Sequence, residues 1–444
     1  MNYPPVPKSQ KAPNLARRAQ SAAAIGSNTT IWDILSNKWD HQHNINGYLS
    51  VGVAENLLLQ DTLLDYINTK VQFSGQSLTY NDGSMGSRAV REALSRFLNL
   101  HMCPVRRVEP SHVLLTNGCS SAVEQLSWAF MEPGEGILLG KPYYGTFIAD
   151  LSVRPEAVVV PVEFGDIDPL SPEAVAQYEK AAVEFEKQSG KRVRAVMLCH
   201  PHNPLGRCYP RAAITSLMKL CQSRQMHLIS DEIYALSTWT NKVDTDVPVV
   251  PFESVLSIDT TGLIDLDLVH VLWGMSKDFG ANGLRVGAII SQSNPDLHAA
   301  LSVMSLYSYV SGLSDQVTAS ILFDDAFTDR YIQLNREKLS EAHEFLIKIL
   351  KKRDIEYSQG CNAGFFVWIN LGKKYLETNP QKDNEGIDIT DVIMQKLLDN
   401  KVFLASGTSF GSEKPGWFRV VFAHPFPYLQ EAMRRILLAV GAEE

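Results

Sequence analysis

Seven short apolar segments, separated by stretches with helical periodicity, limit most strongly how this chain can fold. They are His112–Thr116, Gly136–Gly140, Ala157–Val162, Ala195–Cys199, His227–Ser230, Leu268–Trp273 and Arg285–Ser291. Runs this short and apolar suit strands buried on both faces, and the stretches between them suit helical crossovers. The alternation predicts an α/β fold, with a seven-stranded, mainly parallel sheet wound by helices in a large domain. After Ser293 the pattern changes. Asp324 to Arg353 reads as a long amphipathic helix, Cys361–Leu371 and Trp417–Ala423 as strands, and Asp391–Asn400 and Tyr428–Val440 as helices. Gly372–Gly386 reads as an exposed loop. These segments predict a smaller α+β domain formed from both ends of the chain. The expected division is a flexible arm over 1–31, small domain over 32–75, large domain over 76–323, and small domain again over 324–444.

In such sheets ligands bind beyond the carboxyl ends of the strands, and the unusual residues cluster there. Lys277, in Gly274-Met275-Ser276-Lys277, follows a strand, and Arg285 lies eight residues on. A lysine so placed is either a solvated surface group or an amine able to condense with an aldehyde. An arginine nearby can grip a phosphate through two parallel hydrogen bonds. The aldehyde that carries a phosphate is pyridoxal 5'-phosphate (PLP), which also needs an acid for its ring nitrogen. Asp231, ending the strand that starts at His227, is costly to bury unless paired, and a protonated pyridine would pair it. Gly118-Cys119-Ser120-Ser121 opens a helix. It reads either as an N-cap by Ser120 or Ser121, or as a phosphate cradle of backbone N–H groups and the Ser120 hydroxyl. Tyr144 can stack on a flat ring or pack in the core. Asn203, in an Asn-Pro turn, and Tyr234 can both donate to a ring oxygen. Arg419 is a lone charge in an apolar strand: either an edge-strand side chain facing water or a clamp for a carboxylate.

The chain has 444 residues and a formal charge of -8, which argues against a general nucleic-acid or membrane-surface binder. Its six cysteines show no CxxC spacing, so neither a zinc site nor a disulfide framework is expected, and a reducing, cytoplasmic setting fits. Met1 to Ile31 is basic and lacks acids, as transit peptides do, but Pro4, Pro5, Pro7 and Pro13 do not suit a targeting helix.

Taken together, these segments resemble the fold-type I PLP enzymes of the class I/II aminotransferase family, and within it the 1-aminocyclopropane-1-carboxylate synthase branch. The resemblance spans roughly Ile45 to Val440. It rests on Gly52-Val53-Ala54-Glu55-Asn56, Asn117-Gly118-Cys119-Ser120, Pro142-Tyr143-Tyr144, His202-Asn203-Pro204-Leu205-Gly206, Asp231-Glu232-Ile233-Tyr234, Ser276-Lys277-Asp278-Phe279-Gly280, Arg285-Val286-Gly287 and Pro415-Gly416-Trp417-Phe418-Arg419. It implies that Lys277 bonds the cofactor aldehyde and moves the Cα proton, with Asp231 on the ring nitrogen. Asn203 and Tyr234 would bind the ring oxygen and Tyr144 would stack on the ring. Gly118, Cys119 (backbone), Ser120, Ser276 and Arg285 would surround the phosphate. Arg419 would bind the substrate carboxylate, with Glu55 beside the substrate. Three positions depart from the family: Gly274 where a serine is common, His200 where an asparagine is usual, and no tyrosine near Gly83-Ser84-Met85, where the neighbouring subunit usually lends one to the phosphate.

The resemblance implies a homodimer acting on an α-amino acid, with no metal. The favoured reaction is Cα deprotonation followed by expulsion of a sulfur leaving group; the alternative is an aminotransferase. A transcription regulator built on this fold would carry a basic recognition helix, and none appears.

Overall fold

The computed structural model describes residues 14–26, 30–380 and 388–442. Seven strands form the large sheet: β1 Val113–Asn117, β2 Gly136–Gly140, β3 Val158–Val162, β4 Val193–Cys199, β5 His227–Asp231, β6 Val269–Gly274 and β7 Val286–Ile290. Their spatial order is β1-β7-β6-β5-β4-β2-β3. Every neighbouring pair is parallel except the two that involve β7, which is antiparallel to both β1 and β6. The predicted seven-stranded α/β sheet is therefore present, each strand within about two residues of its expected limits.

Side chains alternate across a strand, so adjacent residues enter opposite cores. Leu115, Leu138, Leu198, Leu228 and Val271 pack with the helices Arg88–His101, Val175–Ser189, Arg211–Arg224 and Gly312–Phe323 on one face. Their neighbours Leu114, Ile137, Met197, Ile229 and Leu272 pack on the other, against Cys119–Phe130 and the smaller lobe. Burial on both faces is why these strands are continuously apolar.

The smaller sheet is antiparallel, in the order Ala405–Ser406, Trp417–Val421, Phe366–Asn370, Glu356–Tyr357. The helices Asp325–Lys352, Ile389–Asp399 and Phe426–Ala439 cover it. Leu49–Ser50 pairs with Val402–Phe403, which ties the start of the chain into this lobe. The loop expected over 372–386 needs correction: Leu371–Thr378 is a helix, capped by the Asn370 side chain accepting from the Lys373 N–H, and 381–387 lie outside the described residues. Of the arm expected over 1–31, Arg17–Gly26 is helix, whereas 1–13 and 27–29 lie outside them. Among the described residues, no helix is long and apolar enough to cross a membrane.

Asp325–Lys352 brings His343 between Trp239 and Phe422, with ring centroids 4.4 and 5.6 Å away. Burial pulls its pKa down to about 4, so the folded protein holds it neutral while the unfolded chain protonates near 6.5. The stability this group contributes is therefore lost as pH falls from about 6.5 towards 4. His343→Phe should gain on the wild type through that window by up to about 1.4 kcal/mol per pH unit. Paired denaturant titrations at pH 7 and 4.5 check this; a pH-independent difference would disprove it.

Candidate active site

Because β4, β5 and β6 are parallel, Cys199, Asp231 and Gly274 end at one edge, and β1 delivers Asn117 there as well. The reversal of β7 brings its first residue to the same edge: Asn117 pairs with Val286, and Gly274 with Gly287. Arg285, just before β7, thus comes to lie against Gly118.

Gly118 has φ +82° and precedes the helix Cys119–Phe130 without any side-chain cap. The N-cap by Ser120 or Ser121 is therefore not formed, and the helix start is left open to an anion. A Cβ at Gly118 would run into the Arg285 guanidinium, meeting its Cζ at 2.9 Å. Arg285 NH1 donates to the Asn282 carbonyl at 3.0 Å, and among the described residues no carboxylate pairs with Arg285. Ser120 is exposed beside the cradle and Ser276 is buried. The serine missing at 274 has a physical reason. A Cβ there would lie 2.6 Å from the Val286 carbonyl oxygen and 3.2 Å from Cys119 Sγ, so β6 and β7 meet too closely for any side chain. Cys119 Sγ, 3.4 Å from the Trp273 carbonyl, occupies that flank.

Lys277 Nζ donates to the Ala54 carbonyl at 2.6 Å. Burial, and next the Arg419 charge, pull its pKa down to about 8, while Glu55 and Asp231 oppose this. It is not a solvated surface lysine. Asp231 is 5% exposed. Burial raises its pKa to about 7, against the Ile233 N–H, which donates to Oδ1 at 3.2 Å, and the Lys277 charge. Tyr144 is half-buried, edge-on to Phe147 at 5.2 Å. Tyr234 is buried edge-on to Phe365 and Phe366, and burial pushes its hydroxyl pKa well up.

Arg419 is 3% exposed and sits on an inner strand of the small sheet, so the water-facing edge position is excluded. Its guanidinium lies between the rings of Phe366 and Phe410, at 5.2 and 4.9 Å. NH1 donates to Asn203 Oδ1 at 2.8 Å and NH2 to the Gly52 carbonyl at 2.5 Å, while Nε has no partner among the described residues. With Oδ1 committed to Arg419, Asn203 keeps its NH2 end for a ligand. Phe366 and Phe410 had not been singled out from sequence, where an aromatic in a strand or after Gly-Thr-Ser reads as core.

The edge therefore collects a half-buried amine of lowered pKa, a buried carboxylate without a cation in direct contact, an open helix start beside an arginine without a carboxylate partner, and a buried guanidinium likewise without one. The first three suit the aldehyde, ring nitrogen and phosphate of PLP, and Arg419 is left for a carboxylate. No group of histidines, cysteines and carboxylates able to hold a metal occurs among the described residues. Gly118→Ala should displace Arg285 and weaken PLP binding about 10-fold or more, with little effect on pyridoxal, which lacks the phosphate. Fluorescence titration of both ligands tests this, and an unchanged PLP-to-pyridoxal affinity ratio would refute it.

Residues 50–436 match the family model described as aminotransferase class I and II. The probable aminotransferase gliI of Aspergillus fumigatus is 32% identical over 412 residues, covering 90% of each chain. The 1-aminocyclopropane-1-carboxylate synthase 7 of Arabidopsis thaliana is 32% identical over 413 residues, covering 90% of this chain and 88% of that one. Among solved structures, an aspartate aminotransferase double mutant from Thermus thermophilus superposes with a TM-score of 0.69 at 18% identity, over 96% of this chain and all of the other. With that fold, and with a site suited to PLP at the edge where its strands end, the chain belongs to the PLP-dependent class I and II aminotransferase family.

Proposed function

We propose that this enzyme removes the Cα proton of an α-amino acid and then expels a sulfur leaving group, as a C–S lyase or a 1-aminocyclopropane-1-carboxylate synthase-like enzyme. PLP, when bound, supplies the electron-withdrawing ring that acidifies Cα. Arg419 binds the substrate carboxylate, its plane held by Phe366 and Phe410. Asp231 holds the proton on the ring nitrogen, while the Asn203 amide and the Tyr234 hydroxyl donate to the ring oxygen. Gly118, Cys119, Ser120, Ser276 and Arg285 hold the phosphate. Lys277 Nζ, with a pKa near 8, has enough free base at neutral pH to take the Cα proton.

The observation that favours elimination is the contact of the Ala54-Glu55 segment with the lysine, Nζ to the Ala54 carbonyl at 2.6 Å. Amino transfer needs one proton carrier, moving between Cα and the cofactor. Elimination from a thioether is helped by a second acid at the departing thiolate, a part that Glu55, next to Ala54, would play; a sulfonium leaves as a neutral thioether and needs none. The Arabidopsis relative, named as a synthase, supports this; the Aspergillus relative's name supports the alternative, transfer of the amino group to a keto acid. A homodimer belongs to the same proposal, supported by the exposed apolar group Leu78, Tyr80, Leu306 and Tyr307, in which Tyr80 meets Tyr309 edge-on at 6.4 Å.

Mixing the PLP form with thioether amino acids, and with S-adenosylmethionine as the sulfonium that would yield methylthioadenosine, separates the two reactions. Release of a thiol or methylthioadenosine is expected. A shift to pyridoxamine absorbance with keto acid release and no free thiol would establish transfer instead. Glu55→Gln should slow thiol release about 100-fold and leave exchange of the Cα proton in place. Lys277→Ala should abolish both that exchange and the visible band of the lysine-bound cofactor. Arg419→Ala should raise the KM for amino acids at least about 10-fold while PLP stays bound.

A further inference from the structure

The Ala54 carbonyl, to which Lys277 Nζ donates at 2.6 Å, has a second donor: Asn282 Nδ2 lies 3.4 Å from the same oxygen. Ala54 is 6% exposed, and among the described residues no other N–H or O–H bonds this carbonyl. Both donors come from one stretch of chain, which runs directly against the strip that bears Ala54. Gly280, at φ +63°, permits that approach, since a Cβ there would lie 2.5 Å from the Asn56 carbonyl oxygen. Arg285 holds Asn282 from the other side, its NH1 donating to the Asn282 carbonyl at 3.0 Å. Asn282 Oδ1 is buried and without a partner among the described residues. The side chain of Asn282 therefore has one protein group to bond, and it is the group that already holds the lysine.

Two donors on one oxygen are unequal. The charged amine forms the short bond, and the amide is kept at the outer limit of hydrogen-bond length. That order cannot last when Lys277 bonds PLP. Nζ, as the free amine, adds to the aldehyde carbon; a C=N bond forms, and both amine hydrogens leave with the aldehyde oxygen as water. Neither remains to serve Ala54. A buried carbonyl that loses its donor costs as much as a lost hydrogen bond unless another group takes over. The Asn282 amide already stands within reach.

We propose that Asn282 is a positioning residue that takes over the Ala54 carbonyl whenever Lys277 is bonded to the cofactor, and yields it when the lysine is released. The Ala54-Glu55 strip then stays on the lysine's turn in both states. This role rests on Lys277 being the group that bonds PLP, and not on which reaction follows. It also sets apart two forms of the cofactor. Pyridoxamine 5'-phosphate has an amine in place of the aldehyde, cannot bond the lysine, and leaves Nζ on Ala54.

Titrating the full-length enzyme, freed of cofactor, with PLP and with pyridoxamine 5'-phosphate tests this. Asn282→Ala should weaken PLP about 10-fold and leave pyridoxamine 5'-phosphate within about 2-fold, so the ratio of the two affinities falls. Asn282→Asp keeps the shape, exchanges the donor for a charge that repels the carbonyl, and should lower the ratio at least as far. In Lys277→Ala, where no lysine bond forms, adding Asn282→Ala should leave the ratio unchanged. An unchanged ratio in both single variants, or an equal fall with and without the lysine, would overturn the role of Asn282 and leave that of Lys277 standing. A wild type that lacks the visible band of a lysine-bound cofactor would remove the reading of Lys277, and the handover with it.

Discussion

The reversal of β7 is the constraint on which the rest of the site depends. Antiparallel to both neighbours, it starts at the edge where β1 and β6 end. Arg285 therefore enters beside Gly118, and Gly287 faces Gly274. Run parallel, the same five residues would carry Arg285 to the opposite edge, about 16 Å away at about 3.3 Å per residue. The turn Asn282–Leu284 makes the reversal possible, with Arg285 itself in the left-handed region at φ +52°. The cost of that conformation is borne by the arginine that packs against Gly118 at the open helix start.

Around this edge the charges are arranged for partners the chain does not contain. Arg419 has two neutral oxygens and two ring faces, and no carboxylate. Asp231 has one backbone N–H and, at longer range, Lys277. Burying such groups unpaired is costly, and a ligand carrying a carboxylate and a basic ring nitrogen offsets that cost at both points. Binding to the folded state alone then raises stability with ligand concentration. The aromatic plates on Arg419 act before binding, since a guanidinium already held in its plane loses less freedom when a carboxylate arrives.

The large sheet was legible because its strands are buried on both faces. Continuous apolar runs such as Leu268–Trp273 leave little ambiguity of type, and five polar clusters at their ends marked one edge. The helix at Leu371–Thr378 was hidden because Gly372 and two lysines resemble loop composition; its cap, Asn370, lies inside a strand. Lys277, Asp231, Asn203, Tyr234 and Arg419 could be picked out as polar groups in apolar or turn settings. Phe366 and Phe410 could not. Their importance lies in what they touch across the chain, and a buried aromatic looks the same in sequence whether it packs a core or flanks a site. The absence of serine at 274 was visible as a departure, but its cause, the approach of Val286, exists only in three dimensions.

The two segments that flank the lysine are held by one helix. Asn335 on Asp325–Lys352 accepts from the Asn56 side chain at 2.8 Å and donates to the Asp278 carbonyl at 3.5 Å. One turn earlier, the Tyr331 hydroxyl donates to the Phe279 carbonyl at 2.8 Å. From the other side, the buried Asp278 carboxylate accepts from Trp273 Nε1 at 3.0 Å, the Leu236 N–H at 3.1 Å and the Ser237 hydroxyl at 2.8 Å. Asp278 thus anchors the lysine's own turn to the large sheet, and Asn335 anchors it to the strip that carries Ala54 and Glu55. Asn335 ties the strip that bears Glu55 to the turn that bears Lys277. The residues proposed to hold the cofactor thus stand on the large sheet, while the Ala54-Glu55 strip is tied to the helix of the smaller lobe.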